Sequence, residues 1–188
     1  MLGDLPSLAG LPSLAARLSR SSVEVSGPWR SGGSGVIWNS DGLIVTNAHV
    51  ARGPRAQVTL SDGRKFQAEV VCRNPRRDLA ALRIKARDLP AADFGDSSRL
   101  RVGQMVAALG NPFGVTGALS IGIIHATDEA NWIQADVRLA PGNSGGMLAD
   151  ASGRVIGINT MIVGGIALAV PSNAVESFLS AHAGAAAA

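Results

Sequence analysis

Pro141-Gly142-Asn143-Ser144-Gly145-Gly146 is the stretch on which the reading of this chain turns. Glycines on both sides of a serine let the backbone turn tightly and leave room for a substrate beside the hydroxyl. The N–H groups of Gly142 and Ser144 can then point into one small space, the arrangement that holds the oxyanion of an acyl-transfer intermediate. The same residues also describe an ordinary Gly/Asn/Ser loop. The stretch therefore needs partners elsewhere in the chain.

A serine hydroxyl is a weak nucleophile until a base takes its proton and a third group orients that base. The histidines are His49, His125 and His182. His49 closes Leu43-Ile44-Val45-Thr46-Asn47-Ala48, an apolar strand and a small-residue turn that present a side chain at a strand end. His125 reads as a strand-end or surface residue, and His182 as the last turn of a C-terminal helix, where a cation suits the dipole. Asp78 precedes the apolar run Leu79-Ala80-Ala81-Leu82 and fits the orienting acid. Its alternative is a surface ion pair with Arg76 or Arg77, an ordinary arrangement. The order His49, Asp78, Ser144 is that of the chymotrypsin-like proteases, whereas subtilisins and α/β-hydrolases run differently.

With these residues the chain resembles the HtrA (Deg) family of trypsin-like serine proteases. Further motifs carry the resemblance in family order: Gly33-Ser34-Gly35, Asp41-Gly42-Leu43, Leu109-Gly110-Asn111-Pro112-Phe113-Gly114, Val155-Ile156-Gly157-Ile158-Asn159-Thr160 and Ala169-Val170-Pro171-Ser172-Asn173. The resemblance implies an all-β fold of two perpendicular six-stranded β-barrels, with a short N-terminal helix and a C-terminal helix. His49 and Asp78 would come from the first barrel, Ser144 from the second, and a peptide would lie between them. The implied boundaries are an arm and short helix over residues 1–20, barrels over 21–92 and 93–171, and a helix and Ala-rich tail over 172–188. Residues 21–182 together would form one protease domain.

Composition agrees. A chain of 188 residues with 23 Gly and 9 Pro, and short apolar runs between turn signals, suits an all-β unit large enough to bury real cores. Strands are expected near Val23, over 36–38, 43–45, 56–60, 65–72, 79–84, 105–109, 118–124, 132–134, 147–149, 155–160 and 166–170. Residues 90–98 read as the crossing between halves. Residues 14–21 suit a short helix. Ser172 or Asn173 can cap a final helix, Asn173 with Glu176 having capping-box spacing. Val175, Phe178 and Leu179 give that helix one apolar face.

The net charge is only +3, aromatics are 4%, and the arginines are scattered along the chain, so nucleic-acid binding is weakly supported. The single cysteine, Cys72, cannot form an internal disulfide and reads as a buried strand residue. No His/Cys cluster has zinc spacing; no metal and no cofactor are implied. Asp4, Pro6 and Pro12 interrupt any signal-peptide core, and no run reaches the length of a transmembrane segment. The family suggests the periplasm or cell envelope; this N-terminus suggests the cytoplasm or a trimmed domain. Leu5-Pro6-Ser7-Leu8-Ala9 is repeated as Leu11-Pro12-Ser13-Leu14-Ala15, an apolar arm suited to packing on a neighbour.

The implied activity is hydrolysis of unfolded or extended polypeptides by Ser144, His49 and Asp78, with the oxyanion held by Gly142 and Ser144. By resemblance, Leu139, Val163 and Ile166 line the primary pocket, Thr160 lies at its start near Asp78, and the backbone of Ile166, Ala167 and Leu168 pairs with substrate as a strand. Arg138 stands where digestive trypsins carry an Asp, which disfavours cleavage after Lys or Arg and favours small to medium apolar residues. Asn143 replaces the Asp that captures a freed N-terminus in zymogens, so activation by that ion pair is not expected. Met147 stands where the family usually has Pro. No PDZ domain is expected in the residues after Ser180, so the chain reads either as a member without that domain or as a trimmed protease domain. A homotrimer through the N-terminal arm is the family habit, although leucines stand there in place of the usual aromatics. Two other classes remain open: a catalytically silent holdase or scaffold that binds peptides by strand addition, and a nucleic-acid or membrane-surface module.

Overall fold

A computed structural model of the chain describes residues 10–27, 32–111, 117–128 and 132–182. The first half contains α1 (Leu11–Ser21), β1 (Ser22–Ser26), β2 (Gly32–Ile37), β3 (Leu43–Thr46), β4 (Arg55–Leu60), β5 (Lys65–Asn74) and β6 (Leu79–Arg83). The second contains β7 (Met105–Gly110), β8 (Ala118–Asp128), β9 (Trp132–Asp136), β10 (Met147–Asp150), β11 (Val155–Val163), β12 (Ile166–Pro171) and α2 (Ser172–Ala181). The strands close into two six-stranded antiparallel barrels, β1-β2-β3-β6-β5-β4 and β10-β11-β12-β9-β8-β7.

Alternation of apolar and polar residues sets the inner face of β4, where Ala56, Val58 and Leu60 are buried and Arg55 and Gln57 are exposed, whereas β3 and β10 are buried along their whole length. The first barrel encloses Val23, Val25, Ile44, Val58, Ala80 and Leu82; the second encloses Val106, Ile124, Ile133, Leu148 and Ile156. A third apolar cluster joins the two halves. It unites Val36, Val45, Leu79 and Ala81 of the first barrel with Leu109, Met147, Ile158 and Val170 of the second. Val175, Phe178 and Leu179 of α2 close it on one side and Leu18 of α1 on another.

Closure demands bent strands, and register shifts in β5, β8, β10 and β11 supply the bends. The shift in β11 matters most. Asn159 pairs with Ala169 and Met161 with Leu168, leaving Thr160 as the extra residue.

Several expectations change in detail. Helix α1 begins at Leu11, earlier than residue 14, with Pro12 in its first turn, where a missing N–H costs nothing. Helix α2 begins at Ser172 behind Pro171 and has no side-chain cap. The amide of Asn173 instead binds Asp96 Oδ1 and accepts from Ser97 N–H, fastening the helix to the inter-barrel connection. Hydrogen bonds from Ser98 and then Asn173 hold the Asp96 carboxyl below the usual range. Cys72 is half-buried and free, and burial pushes its thiol up. Residues 5–9 of the repeat lie outside the described residues.

Met147 is fully buried where the two barrels meet. Replacing it by Ala removes packing from both halves at once and is expected to cost about 2–5 kcal/mol. Urea or guanidinium denaturation followed by tryptophan fluorescence measures this; a loss below about 1 kcal/mol would show that the junction repacks.

Candidate active site

Strand β3 ends in a tight turn in which the N–H groups of Val50 and Ala51 both point to Asn47 O. That turn presents His49. Asp78 ends the turn before β6 and has φ 52, the left-handed region that costs a non-glycine residue energy. Two bonds hold it there: its carbonyl accepts from Ala48 N–H at 3.2 Å and from Asn47 Nδ2 at 2.8 Å. Its carboxylate then faces His49, accepting from the His49 main-chain N–H at 2.9 Å and lying 2.6 Å from Nδ1. A carboxylate only accepts, so Nδ1 carries the proton and the neutral ring leaves Nε2 as the free base nitrogen. The imidazole keeps 40% of its side-chain surface exposed, against 17% for Asp78. Asp78 makes no ion pair with Arg76 or Arg77.

Ser144 arrives from the second barrel. Asn143 N–H donates to Ala140 O across Pro141 and Gly142, and Gly142 has φ 103, which closes a turn that only glycine accommodates readily. Gly145, at φ 83, donates to Asn159 O; a Cβ there would strike the Ser34 carbonyl and the Thr46 hydroxyl of the first barrel. The loop is therefore pressed against β2. Ser34 N–H donates to Ser144 O at 2.8 Å, and the Ser34 hydroxyl donates to Gly142 O at 2.7 Å while accepting from Asn111 N–H. Among the described residues, the N–H groups of Gly142 and Ser144 donate to no protein acceptor. The Ser144 hydroxyl donates to Thr160 O at 2.9 Å, the carbonyl that the β11 bulge turns toward it. Among the described residues it makes no hydrogen bond to the imidazole.

Asn143 is buried, with Oδ1 unpartnered and packed on Gly110. A neutral carboxamide suits that position, where a carboxylate would lie desolvated.

The structure pairs His49 with Asp78 and, through Asn47 and Thr160, links that pair to the loop of Gly142 and Ser144. His125 instead sits on an exposed stretch of β8, and His182 ends α2 with Nδ1 2.7 Å from Phe178 O. Thr160 does not reach Asp78 directly. Its buried hydroxyl accepts from Asn47 Nδ2 at 3.0 Å and donates to Ile158 O, so its side chain faces inward. Of the expected substrate strand at Ile166, Ala167 and Leu168, only Ile166 has a side without a partner strand among the described residues. Ala167 and Leu168 of β12 are already laddered on both sides, to Ile162 and Met161 of β11 and to Ala135 and Gln134 of β9. Ala167 belongs to the second barrel's core, and half-buried Leu139 packs against that core. The open edge lies on β11. Met161, Ile162 and Val163 pair only with β12 among the described residues and are 43%, 50% and 56% exposed.

Two structuring residues escaped sequence reasoning. Ser34 and Asn47 both lie inside the quoted motifs, and both are fully buried polar residues in apolar strand contexts. A polar side chain destined for burial needs a partner, but the sequence does not say that the partner lies in the other barrel.

Comparison with known proteins follows the same lines. The Trypsin-like peptidase domain description matches residues 33–158. A probable periplasmic serine endoprotease DegP-like of Chlamydia pneumoniae is 42% identical over 155 residues, covering 74% of this chain and 32% of that protein. Periplasmic serine endoprotease DegP of Escherichia coli K12 is 42% identical over 165 residues, covering 79% of this chain and 35% of that protein. The chain spans about a third of the length of these curated relatives. Among solved structures, HtrA-type protease AlgW with tripeptide superposes with TM-score 0.84 at 35% identity, covering 90% of this chain and 62% of that one. The same protease with decapeptide superposes with TM-score 0.82 at 31% identity, covering 91% and 66%.

Asn47→Ala leaves the Thr160 hydroxyl without its donor and the Asp78 carbonyl with one bond in place of two. The expected loss is about 1–3 kcal/mol by chemical denaturation. Asn47→Asp is expected to be destabilised more at pH 7 than at pH 5, because a carboxyl facing two acceptors can donate only when protonated. Its folded pKa is then raised, and the penalty fades as pH falls. Equal stability of both variants at both pH values would show that the Asn47 amide bears no strain.

Proposed function

The chain belongs to the trypsin-like peptidase family, and from that premise we propose that it is a serine endopeptidase working through Ser144, His49 and Asp78. The observation that carries this reading is the 2.6 Å contact of His49 Nδ1 with Asp78, which leaves Nε2 free to act as base. In the reaction, Ser144 Oγ turns from Thr160 O toward Nε2, gives up its proton there and attacks a peptide carbonyl. Asp78 keeps the tautomer and balances the imidazolium. The carbonyl oxygen, now anionic, takes the N–H groups of Gly142 and Ser144, which have no protein acceptor of their own among the described residues. Nε2 passes its proton to the leaving amine, and a water then opens the acyl-enzyme by the same route.

The acyl side of an extended substrate adds as a strand to the open edge of Met161, Ile162 and Val163. Leu139, Val163 and Ile166 supply apolar surface for a small to medium apolar residue at the scissile bond; Val163 is exposed, and Leu139 and Ile166 are half-buried. Unfolded polypeptides meet both requirements, which makes protein quality control the natural role. The periplasmic relatives and the peptide-bound neighbours support an envelope location and a peptide substrate. Residues 21–182 act as one unit, and the N-terminal arm is the segment through which three copies would join.

A second reading has one observation in its favour. The Ser144 hydroxyl is bonded to Thr160 O and not to the imidazole, as suits a peptide-binding holdase that adds a strand without cutting. Catalytic hydrogen bonds are often formed only in the substrate complex, so the first reading is preferred.

A fluorophosphonate probe separates the two. Labelling and casein degradation are expected in the parent protein and are both lost in Ser144→Ala; binding of intact peptide without labelling would establish the holdase. Asp78→Asn is expected to lower kcat by roughly 10⁴-fold at neutral pH, because the wrong tautomer is then held. A peptide-library profile dominated by cleavage after Lys or Arg would overturn the apolar preference.

A further inference from the structure

The edge of β11 that faces away from β12 changes partner along its length. At Asn159 it is taken by the loop of the nucleophile: Gly145 N–H donates to Asn159 O and Asn159 N–H donates to Gly146 O, both at 2.8 Å. From Met161 to Val163 it has no partner strand among the described residues. Thr160, the bulged residue, sits at the change and pairs with no residue of β12. Its side chain is anchored by Asn47 Nδ2 and Ile158 O, and its carbonyl accepts from the Ser144 hydroxyl at 2.9 Å. That contact holds the nucleophile at rest. The hydroxyl proton points at a carbonyl, while His49 Nε2, among the described residues, receives no hydrogen bond.

A chain added to the open edge reaches the same carbonyl. The residue that supplies the acyl group must bring its carbonyl carbon against Ser144 Oγ. Its own main-chain N–H is joined to that carbon through a single Cα, so it arrives beside Oγ. Thr160 O, 2.9 Å from Oγ, is the acceptor waiting there, at the point where the pairing of the Ser144 loop ends and the open edge begins. A carbonyl oxygen has two lone pairs, so a second donor shares it with the first. Sharing weakens the hydroxyl's bond, and the free Nε2 of His49 then takes the hydroxyl proton.

Resting on the protease reading, we propose that the Thr160 carbonyl is a latch on the Ser144 hydroxyl, opened by the main-chain N–H of the substrate residue that supplies the acyl group. Attack is then conditional on an extended backbone at the β11 edge. Small esters and amides without that N–H meet a hydroxyl still turned toward Thr160. The substrate class is read first by its main chain and only then by the side chain at the scissile bond.

Methanesulfonyl fluoride carries no main chain and measures how free the hydroxyl is. The Ser144 Oγ–S bond forms, fluoride leaves and the proton passes to His49. Its rate is read by intact-protein mass spectrometry, with Ser144→Ala as the blank. Two fluorescent apolar tripeptides, ending in an N-methylamide or an N,N-dimethylamide, differ in the one N–H that would reach Thr160 O. At saturating peptide, where affinity cancels, the N-methylamide should speed sulfonylation roughly three- to tenfold over the dimethylamide, the weight of one hydrogen bond. Ser144→Ala removes the competing hydroxyl. By reciprocity, the N-methylamide should bind that variant more tightly than the parent by a similar factor, and the dimethylamide should bind both alike, as read by fluorescence anisotropy. Equal sulfonylation rates with the two peptides, or equal affinity of the N-methylamide for parent and Ser144→Ala, overturn the proposal, while continued casein degradation leaves the protease reading intact. Absence of sulfonylation and of casein cleavage, with the N-methylamide still favouring Ser144→Ala, overturns the protease reading and keeps the contest for the Thr160 carbonyl. Failure of both peptides to bind overturns the latch together with the added strand.

Discussion

A serine hydroxyl on β2 and an asparagine amide at the end of β3 hold the first barrel to the loop of the second. Ser34 binds the carbonyls of Gly142 and Ser144; Asn47 binds Asp78 on its own side and Thr160 on the other. Apolar packing at Met147, Leu79 and Ile158 brings the halves together, but such packing has no direction and tolerates sliding. Directional bonds at buried atoms do not. An unmade bond at such a site leaves a desolvated donor or acceptor behind, so small relative shifts of the barrels are disfavoured. The distance between His49 on one barrel and Ser144 on the other is set by these few bonds.

The backbone of the site is shaped to the same end. Asp78 is held in a left-handed conformation that its own propensity does not favour, and Gly142 and Gly145 take conformations open to glycine. The β11 bulge at Thr160 aims one carbonyl at the Ser144 hydroxyl. Strained residues persist where surrounding bonds over-determine them, and Asp78 is held by bonds from Asn47, Ala48 and His49 of its own barrel.

Much of this was legible beforehand. Short apolar runs between glycine and Asn/Asp turns located the strands, because strands that build two barrel cores must bury such residues. The order His49, Asp78, Ser144 pointed to two barrels and to the residues now found facing one another or pinned in one loop. What the sequence concealed was pairing. Ile166, Ala167 and Leu168 looked as suitable for binding a strand as Met161, Ile162 and Val163, since both runs are apolar and short. Only the ladder shows that β12 is flanked on both sides while the end of β11 is not. Ser34 and Asn47 were hidden for the related reason that a buried polar residue declares a need for a partner without declaring where the partner is. The capping-box spacing at Asn173 was real but was outcompeted by bonds to Asp96 and Ser97.

The open end of β11 has another side. An apolar strand edge with unpaired N–H and C=O groups accepts any extended chain, including a second copy of itself. Here that edge is limited to three residues, and Gly164 and Gly165 follow at φ 59 and 88, turning the chain back at once into β12. A short edge ending in two left-handed glycines offers little length for sheet-to-sheet stacking. Lengthening it, or replacing those glycines with β-branched residues, would trade a receptive edge for a self-associating one.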